Sequence, residues 1–503
     1  MTHQAYEAQQ PVVWDADYVV IGTGAGGAAA ASQLARGGAK VVMVEAGPWR
    51  DPGDYPSSVY GSFRDLFDHW GTTVTRGRAI WPIIQAACVG GSTVINSAIV
   101  VRTPGDIFAQ WEREHGVGGD ALAEQVWAHQ DRIEEELFVE TTRPGRLGRS
   151  SELAAQAAEK LGIEGHLMRR SVKDCLGSAG CLQGCRHGKK QSTNLQWVPE
   201  VLERGGALLS CAPVKRLVIE RGRAVGVEGR FRHPQTRAKG ARFEVRARQG
   251  VVVAASSTHT PCILQRSGLK MRPLGQGFRA HPGCAVPGVY PEPVGMDFGA
   301  TQGWASVEFR STPGYKLETL NLPLELSAVR LKGGGSALME RIEELPRMGV
   351  WVAACRANSA GTVRNGWGDR PAVNYIMDQE DMHRLRAGLK KTAELHFAMG
   401  ATHVLPGIQG LPYRLKPDQL HLFDTASTHP KAYTVIISHL FGGATMGRDA
   451  GRAFCDGRGK AHEVEGLYIA DAALLPTNLG VNPQHTIMAM ARVVADGILE
   501  HDA

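Results

Sequence analysis

No apolar stretch of the 503-residue sequence approaches the roughly 20 residues that a membrane-spanning helix needs, so no membrane span is expected. Met1 to Asp15 is polar and lacks the charged-then-apolar order of a secretion signal, which points to a cytoplasmic protein. Internal repeats, low-complexity tracts and long charge runs are missing too, which excludes a solenoid or a linker-like chain. Basic clusters such as Arg186-His187-Gly188-Lys189-Lys190 are short and have no interleaved aromatics. The net charge of +6 therefore implies no nucleic-acid partner. Cysteines number nine, an odd count, and six are scattered singly, which argues against a secreted disulfide framework.

What is present is globular composition, 43% apolar and 21% charged, with 61 glycines for tight turns and close backbone approaches. The length suits two intertwined domains or one large α/β body. Tyr18-Val19-Val20-Ile21 reads as a buried parallel strand running into Gly22-Thr23-Gly24-Ala25-Gly26-Gly27. A helix follows over Ala28 to Leu34, then a strand over Lys40 to Val44, then Glu45. In this order Gly22 permits the tight turn, Gly24 admits a pyrophosphate and Gly27 lets helix and strand pack closely. The helix N-terminus offers free N–H groups to phosphate. Glu45, 21 residues after Gly24, is placed to accept from ribose hydroxyls. The pattern indicates a dinucleotide and leaves FAD and NAD undivided.

At the far end, Gly466 to Ala470 reads as a strand, Asp471 follows, and a helix begins near His485-Thr486. An acid at a strand end followed by a helix N-terminus belongs at the crevice of a doubly wound sheet. Five segments together resemble the glucose–methanol–choline (GMC) oxidoreductase family. They are the N-terminal motif ending in Glu45-Ala46-Gly47, Gly90-Gly91-Ser92-Thr93-Val94-Ile95-Asn96, Val251 to Gly268, His439 to Gly447, and Asp471 to Thr486. The motifs are nearest the long-chain alcohol oxidase and cholesterol oxidase-like branches.

That resemblance implies FAD. It places Glu45 on the ribose, Asp471 with Ala472 near the pyrophosphate or ribityl chain, and Gly91 and Ser92 in a second flavin loop. Asn96 and the helix start Pro483–Thr486 then face the isoalloxazine, where a helix N-terminus stabilises the charge of reduced flavin. His485 is assigned either to the flavin carbonyl end or to a structural place at the helix start.

Oxidising an alcohol needs a proton acceptor on the hydroxyl while hydride leaves for the flavin, and histidine titrates in the suitable range. The sequence has 18 histidines, and His439 stands out only by its place in the family's histidine motif. Asn482, in Gly480-Val481-Asn482-Pro483, is its partner by the same resemblance. The expected activity is oxidation of a CH–OH group, probed best with a hydrophobic alcohol, with oxygen, a quinone or a redox protein taking the electrons. A lyase or isomerase on this fold, or a flavin electron-transfer subunit, are the alternatives.

Cys175, Cys181 and Cys185 lie within eleven residues, in a spacing that resembles the three-iron cluster loop of sugar and polyol dehydrogenase subunits. Gly184 to Thr193 with Trp197 instead resembles the long-chain alcohol oxidases, in which such thiols carry no assigned cluster. An iron–sulfur cluster and thiols with packing or redox roles both stay open.

The expected fold is α/β. A discontinuous FAD-binding Rossmann-like domain takes 15–110, 195–290 and 430–503. A substrate-binding or cap domain takes 111–194 and 291–429, with the cysteine loop at 175–190. In the cap, Trp304 to Glu308, Val350 to Ala357 and Ala372 to Ile376 are expected as strands of an antiparallel sheet under a helix over Met382 to Gly400. Trp304, Phe309, Trp351 and Tyr375 are assigned to pocket or core.

Overall fold

From Val12 the chain turns apolar and β-branched, and it forms the first long strand, β1 (Val12–Ile21). The computed structural model describes residues 3–502 apart from Gln9. β1 leads through the glycine turn into α1 (Ala25–Arg36) and β2 (Val41–Val44). Ala28 to Ala31 are fully buried in α1. Alanine favours the helix and brings it close to the sheet.

The larger sheet adds β3 (Ala207–Leu209), β4 (Val214–Glu220), β5 (Arg223–Arg232) and β6 (Lys239–Val253). Its neighbour order is His3–Gln4, β3, β2, β1, β6, β5, β4. The first five are parallel, whereas β4, β5 and β6 pair antiparallel. Arg221 and Gly222, both at positive φ, turn the β4–β5 hairpin. β6 divides its far edge between partners. Its first half pairs with β5, and Val251 to Val253 pair in parallel with the late strand Leu467–Ile469. The parallel strands therefore end on one side, where Gly22, Glu45, Ala254 and Asp471 come together.

The C-terminal helix Gln484–Asp502 packs on α1 and on α2 (Gly119–Glu136). Ile107, Phe108, Trp111 and Ile133 share that core. Residues from 111 to 137 thus pack with the larger sheet, not with the cap to which the sequence division gave them. Amphipathic helices declare an apolar face but not which sheet will cover it.

The second sheet holds β7 (Gly283–Val289), β8 (Trp304–Ser306), β9 (Tyr315–Thr319) and β10 (Met348–Cys355), all antiparallel to their neighbours. Its order is His403–Val404, β7, β10, β9, β8, His166–Leu167, and Val435–Ile436 also pairs with β7. It begins at Gly283, within the stretch that the sequence division gave to the flavin domain. α3 (Gln379–Ala398) packs across β7 and β10, and its N-terminus is capped by the Asp378 side chain accepting from Asp381 N at 2.9 Å.

One expectation changes, and one that allowed pocket or core resolves to core. Pro371–Asn374 pairs with Thr362–Asn365 and with Thr75–Arg76 in a separate three-stranded sheet. Trp304, Trp351 and Tyr375 are core, and Phe309 stacks on Tyr315 at 5.1 Å, so none of the four lines the cavity described below. Among the described residues no helix is long and apolar enough to cross a membrane.

Candidate active site

A cavity of about 1070 Å³ opens along the strand ends of the larger sheet, walled by Gly22, Gly24, Glu45, Gly91, Ser92 and Asp471. That is slightly above the usual range for a small-molecule site, ~300–1,000 Å³. Gly22 sits at φ +95°, and a Cβ there would lie 2.4 Å from Ala254 O. Gly91, at φ +52°, abuts Gly24, where a Cβ would meet Gly24 Cα at 2.7 Å. The two glycine loops thus touch backbone to backbone. Gly24 precedes α1 without any side-chain cap on the first N–H groups of that helix. A bare helix N-terminus beside a glycine floor suits the pyrophosphate of a dinucleotide. Gly27 serves packing, since its Cβ would fall 2.0 Å from Gly22 O. The same holds for Gly26 against Ala470 O at 1.9 Å, a contact the glycine pattern did not single out.

Glu45 is buried, and Thr23 N (2.9 Å), Thr23 Oγ1 (2.8 Å) and Gly47 N (3.0 Å) donate to its carboxylate. Burial outweighs these donors and raises its pKa. Asp471 is similar. Ser256 N (2.8 Å), Thr260 Oγ1 (2.6 Å) and Ala473 N (2.7 Å) donate to it, yet burial pushes it up to about 6. Its carboxylate ties the end of the late strand to the helix Ser256–Arg266, while Ala472 beside it faces the cavity.

A second cavity of about 860 Å³ adjoins the first, and Ala25, Ser92, Ser438, Pro483 and Ile487 line both. Its walls are largely apolar, with Phe67, Trp81, Val352, Leu405, Ile408 and Tyr433 among them. Asn96, His281, Glu318, His439 and Asn482 are among its polar groups.

The last four of these, with Lys316, form a chain whose proton positions can be deduced. Lys316 Nζ, a donor only, gives to Asn482 Oδ1 at 2.6 Å, which turns the amide nitrogen toward His439 Nε2 at 3.5 Å. Nε2 is then the acceptor nitrogen, and the ring proton sits on Nδ1, 3.1 Å from His281 Nδ1. His281 accepts there and carries its own proton on Nε2, a buried atom with no hydrogen-bond partner among the described residues. Lys316 also donates to Glu318, whose other oxygen accepts from Gln302 Nε2 at 3.2 Å. Burial opposes a charge on Glu318, but the adjacent Lys316 ammonium prevails and holds the carboxyl below its usual range. Burial, and then Lys316, pushes the His439 imidazole down to about 3, so it is neutral at working pH.

Sequence reading missed His281, Lys316 and Glu318. Lys316 and Glu318 sit two apart on β9 and so share a face. In sequence that alternation looks like an ordinary polar edge.

At the C-terminal helix start the expected face rotates. Pro483, Gln484 and Ile487 line the second cavity, and Gln484 accepts from Asn96 Nδ2. Thr486, expected at the flavin ring, turns its side chain away, and His485, assigned either to the flavin carbonyl end or to a structural place at the helix start, takes a structural contact. His485 Nε2 meets Gln130 O at 3.2 Å, and Thr486 Oγ1 meets Thr103 Oγ1 at 2.8 Å, both buried. Positions 484 and 487 share one side of a helix, and 485 and 486 fall on the other.

The cysteine loop does not fit an iron–sulfur cluster. Cys175, Cys181 and Cys185 are free thiols, and the void between their walls is about 10 Å³. That is room for about one water. The Arg170 guanidinium fills the place of a metal, with Nη1 3.6 Å from Cys175 Sγ and Nη2 3.1 Å from Cys181 Sγ.

Residues 16–283 and 357–491 match the N- and C-terminal sequence profiles of the family described as GMC oxidoreductase. An uncharacterized GMC-type oxidoreductase of Mycobacterium tuberculosis is 33% identical over 492 residues, covering 97% of this chain and 76% of its own length. A long-chain-alcohol oxidase of Arabidopsis thaliana is 28% identical over 520 residues, covering 97% of this chain and 67% of its own. In fold, a formate oxidase of Aspergillus oryzae, described with an FAD modification, superimposes with a TM-score of 0.76 at 15% identity. The match covers 98% of this chain and 99% of that one.

Proposed function

Since the chain belongs to the GMC oxidoreductase family, we propose that it uses FAD to oxidise a hydrophobic alcohol to its carbonyl, with His439 as base. The observation that carries this reading is the oriented chain Lys316–Asn482–His439–His281 at the polar end of an apolar cavity. The cavity agrees in kind with the long-chain alcohols named for the Arabidopsis relative.

Gly22, Gly24, Glu45, Gly91, Ser92, Asn96, Asp471, Ala472 and Pro483 would hold FAD, with Gly27 keeping the helix close to its strand. FAD, when bound, supplies the hydride acceptor. The rest falls to the chain itself. His439 Nε2 takes the hydroxyl proton, and the Asn482 amide donates to the same oxygen; two groups 3.5 Å apart can both reach one atom. His281 keeps the His439 proton on Nδ1, so Nε2 stays available. Apolar walls exclude water and bind the alkyl part of the substrate.

Anaerobic titration of the FAD-loaded protein with a series of primary alcohols tests the reading. Bleaching of the flavin that strengthens with chain length, reversed on admitting air, is expected. Failure of every alcohol to bleach it would sink the proposal. The pH dependence is a separate check. With His439 held neutral down to about 3, the reduction rate is expected to vary by less than about twofold between pH 6 and 8. An acidic limb near the ordinary histidine range of about 6.5 would contradict the assignment.

A further inference from the structure

Two buried cations at the cysteine loop, one just before it and one at its end, have no carboxylate partner among the described residues. Arg170 is 1% exposed and Lys190 2%. Arg170 donates from Nε to Ser97 O at 3.0 Å and from its other nitrogens only to Cys175 and Cys181. Lys190 Nζ donates to the carbonyls of Val94, Asn96 and Cys181. Around the small cavity between them, the titratable groups are Arg170, Lys190, Lys189, His187, Cys175 and Cys185 beside Cys181; no Asp or Glu is among the lining residues. Thr301 Oγ1 accepts from Cys181 N at 3.4 Å. A buried charge needs a counter-charge, and guanidinium does not deprotonate in proteins. Among the residues lining this cavity, the only groups that can become anions are the thiols.

We propose that Cys181 is a thiolate ion held by Arg170 and Lys190, and that it is a site of covalent modification by soft electrophiles, hydroperoxides included. Electrostatics agree with the geometry. Burial opposes the charge, but Arg170 and then Lys190 outweigh it and hold the Cys181 thiol below its usual range. With a hydroperoxide, the sulfur attacks the terminal oxygen, so the S–O bond forms as the O–O bond breaks. Sulfur loses two electrons and becomes a sulfenate. The alkoxide released takes the hydroxyl proton and leaves as the alcohol.

The same cations grip the segment Val94 to Ser97, which carries Asn96 on the wall of the second cavity. A neutral adduct on Cys181 strands both cations without an anion, and that segment loosens. Modification of the loop is thereby linked to the cavity through backbone carbonyls.

Iodoacetamide pulses on the native protein at pH 6.5 and 8.5, with every cysteine followed by peptide mass spectrometry, test this. An ordinary thiol of pKa about 8.5 gains about fifty-fold in rate across that interval. Cys181 is expected to gain well under tenfold and to be the fastest of the nine at pH 6.5. In Arg170→Met the gain is expected to steepen toward the ordinary value; if that variant does not fold, the native profile decides alone. Stoichiometric hydroperoxide followed by dimedone should tag the same peptide, and alkylated protein should melt about 5 °C or more below the untreated one. A fifty-fold gain at Cys181, or no labelling of it at either pH, overturns the proposal.

Discussion

His439→Ala is expected to slow substrate-driven flavin reduction by about 10²–10⁴-fold while the protein still copurifies with FAD. The two halves of this result come from different places. His439 lines the second cavity and not the glycine-floored one, so its loss leaves the dinucleotide cradle unchanged. Its Nε2 is the only imidazole acceptor that the chain of donors aims at the cavity, because Lys316 fixes the Asn482 amide and His281 takes the Nδ1 proton. Stopped-flow reduction under anaerobic conditions measures the first half, and the flavin-to-protein absorbance ratio the second. Unchanged reduction kinetics in the FAD-loaded variant would remove His439 from the reaction. Loss of FAD would mean that the cradle depends on more than the residues around Gly22 and Gly91.

Lys316→Met carries the other large effect. Lys316 and Glu318 are 1% and 4% exposed, and each is the other's counter-ion. Taking away the ammonium strands a buried carboxylate, and breaking such a pair costs about 3–5 kcal/mol. It also frees Asn482 to rotate, so the reduction rate should fall together with stability. The double variant Lys316→Met/Glu318→Leu separates these effects. Stability from denaturant unfolding should largely return, since replacing both charges by apolar groups of similar size is often near neutral. The rate should not return, since nothing then orients the Asn482 amide. A double variant as unstable as the single one, or one that reduces flavin at the parental rate, contradicts the account of β9.

The glycine-floored cavity proposed to hold the dinucleotide was legible because its parts are local. Gly22, Gly24, Gly27 and Glu45 lie within one strand–helix–strand unit, and each is required by a constraint acting over a few residues: a turn at positive φ, a close helix–strand approach, an acid at a strand end. His439 and Asn482, the proposed reacting pair, could be singled out only through family motifs, since nothing local separates them from 17 other histidines or from other turn asparagines. The side-chain direction at the C-terminal helix was not legible, because Pro483–Thr486 was assigned to the ring as a block without regard to the turn of the helix. A shift of one position rotates the facing set by about 100°.

The sequence by itself determined the α/β fold class, the glycine-floored strand ends and the absence of an apolar span of membrane length. Each of these follows from periodicity and from backbone conformations that neighbouring residues impose. Tertiary structure decided what no local pattern encodes. It set Lys316 against Asn482 across 166 positions, and His281 against His439 across 158. It also put Arg170, not a metal, between Cys175 and Cys181. The reason is that a buried charge or ring proton is stable only with its partner in place, and the partner comes from whichever strand the fold brings alongside.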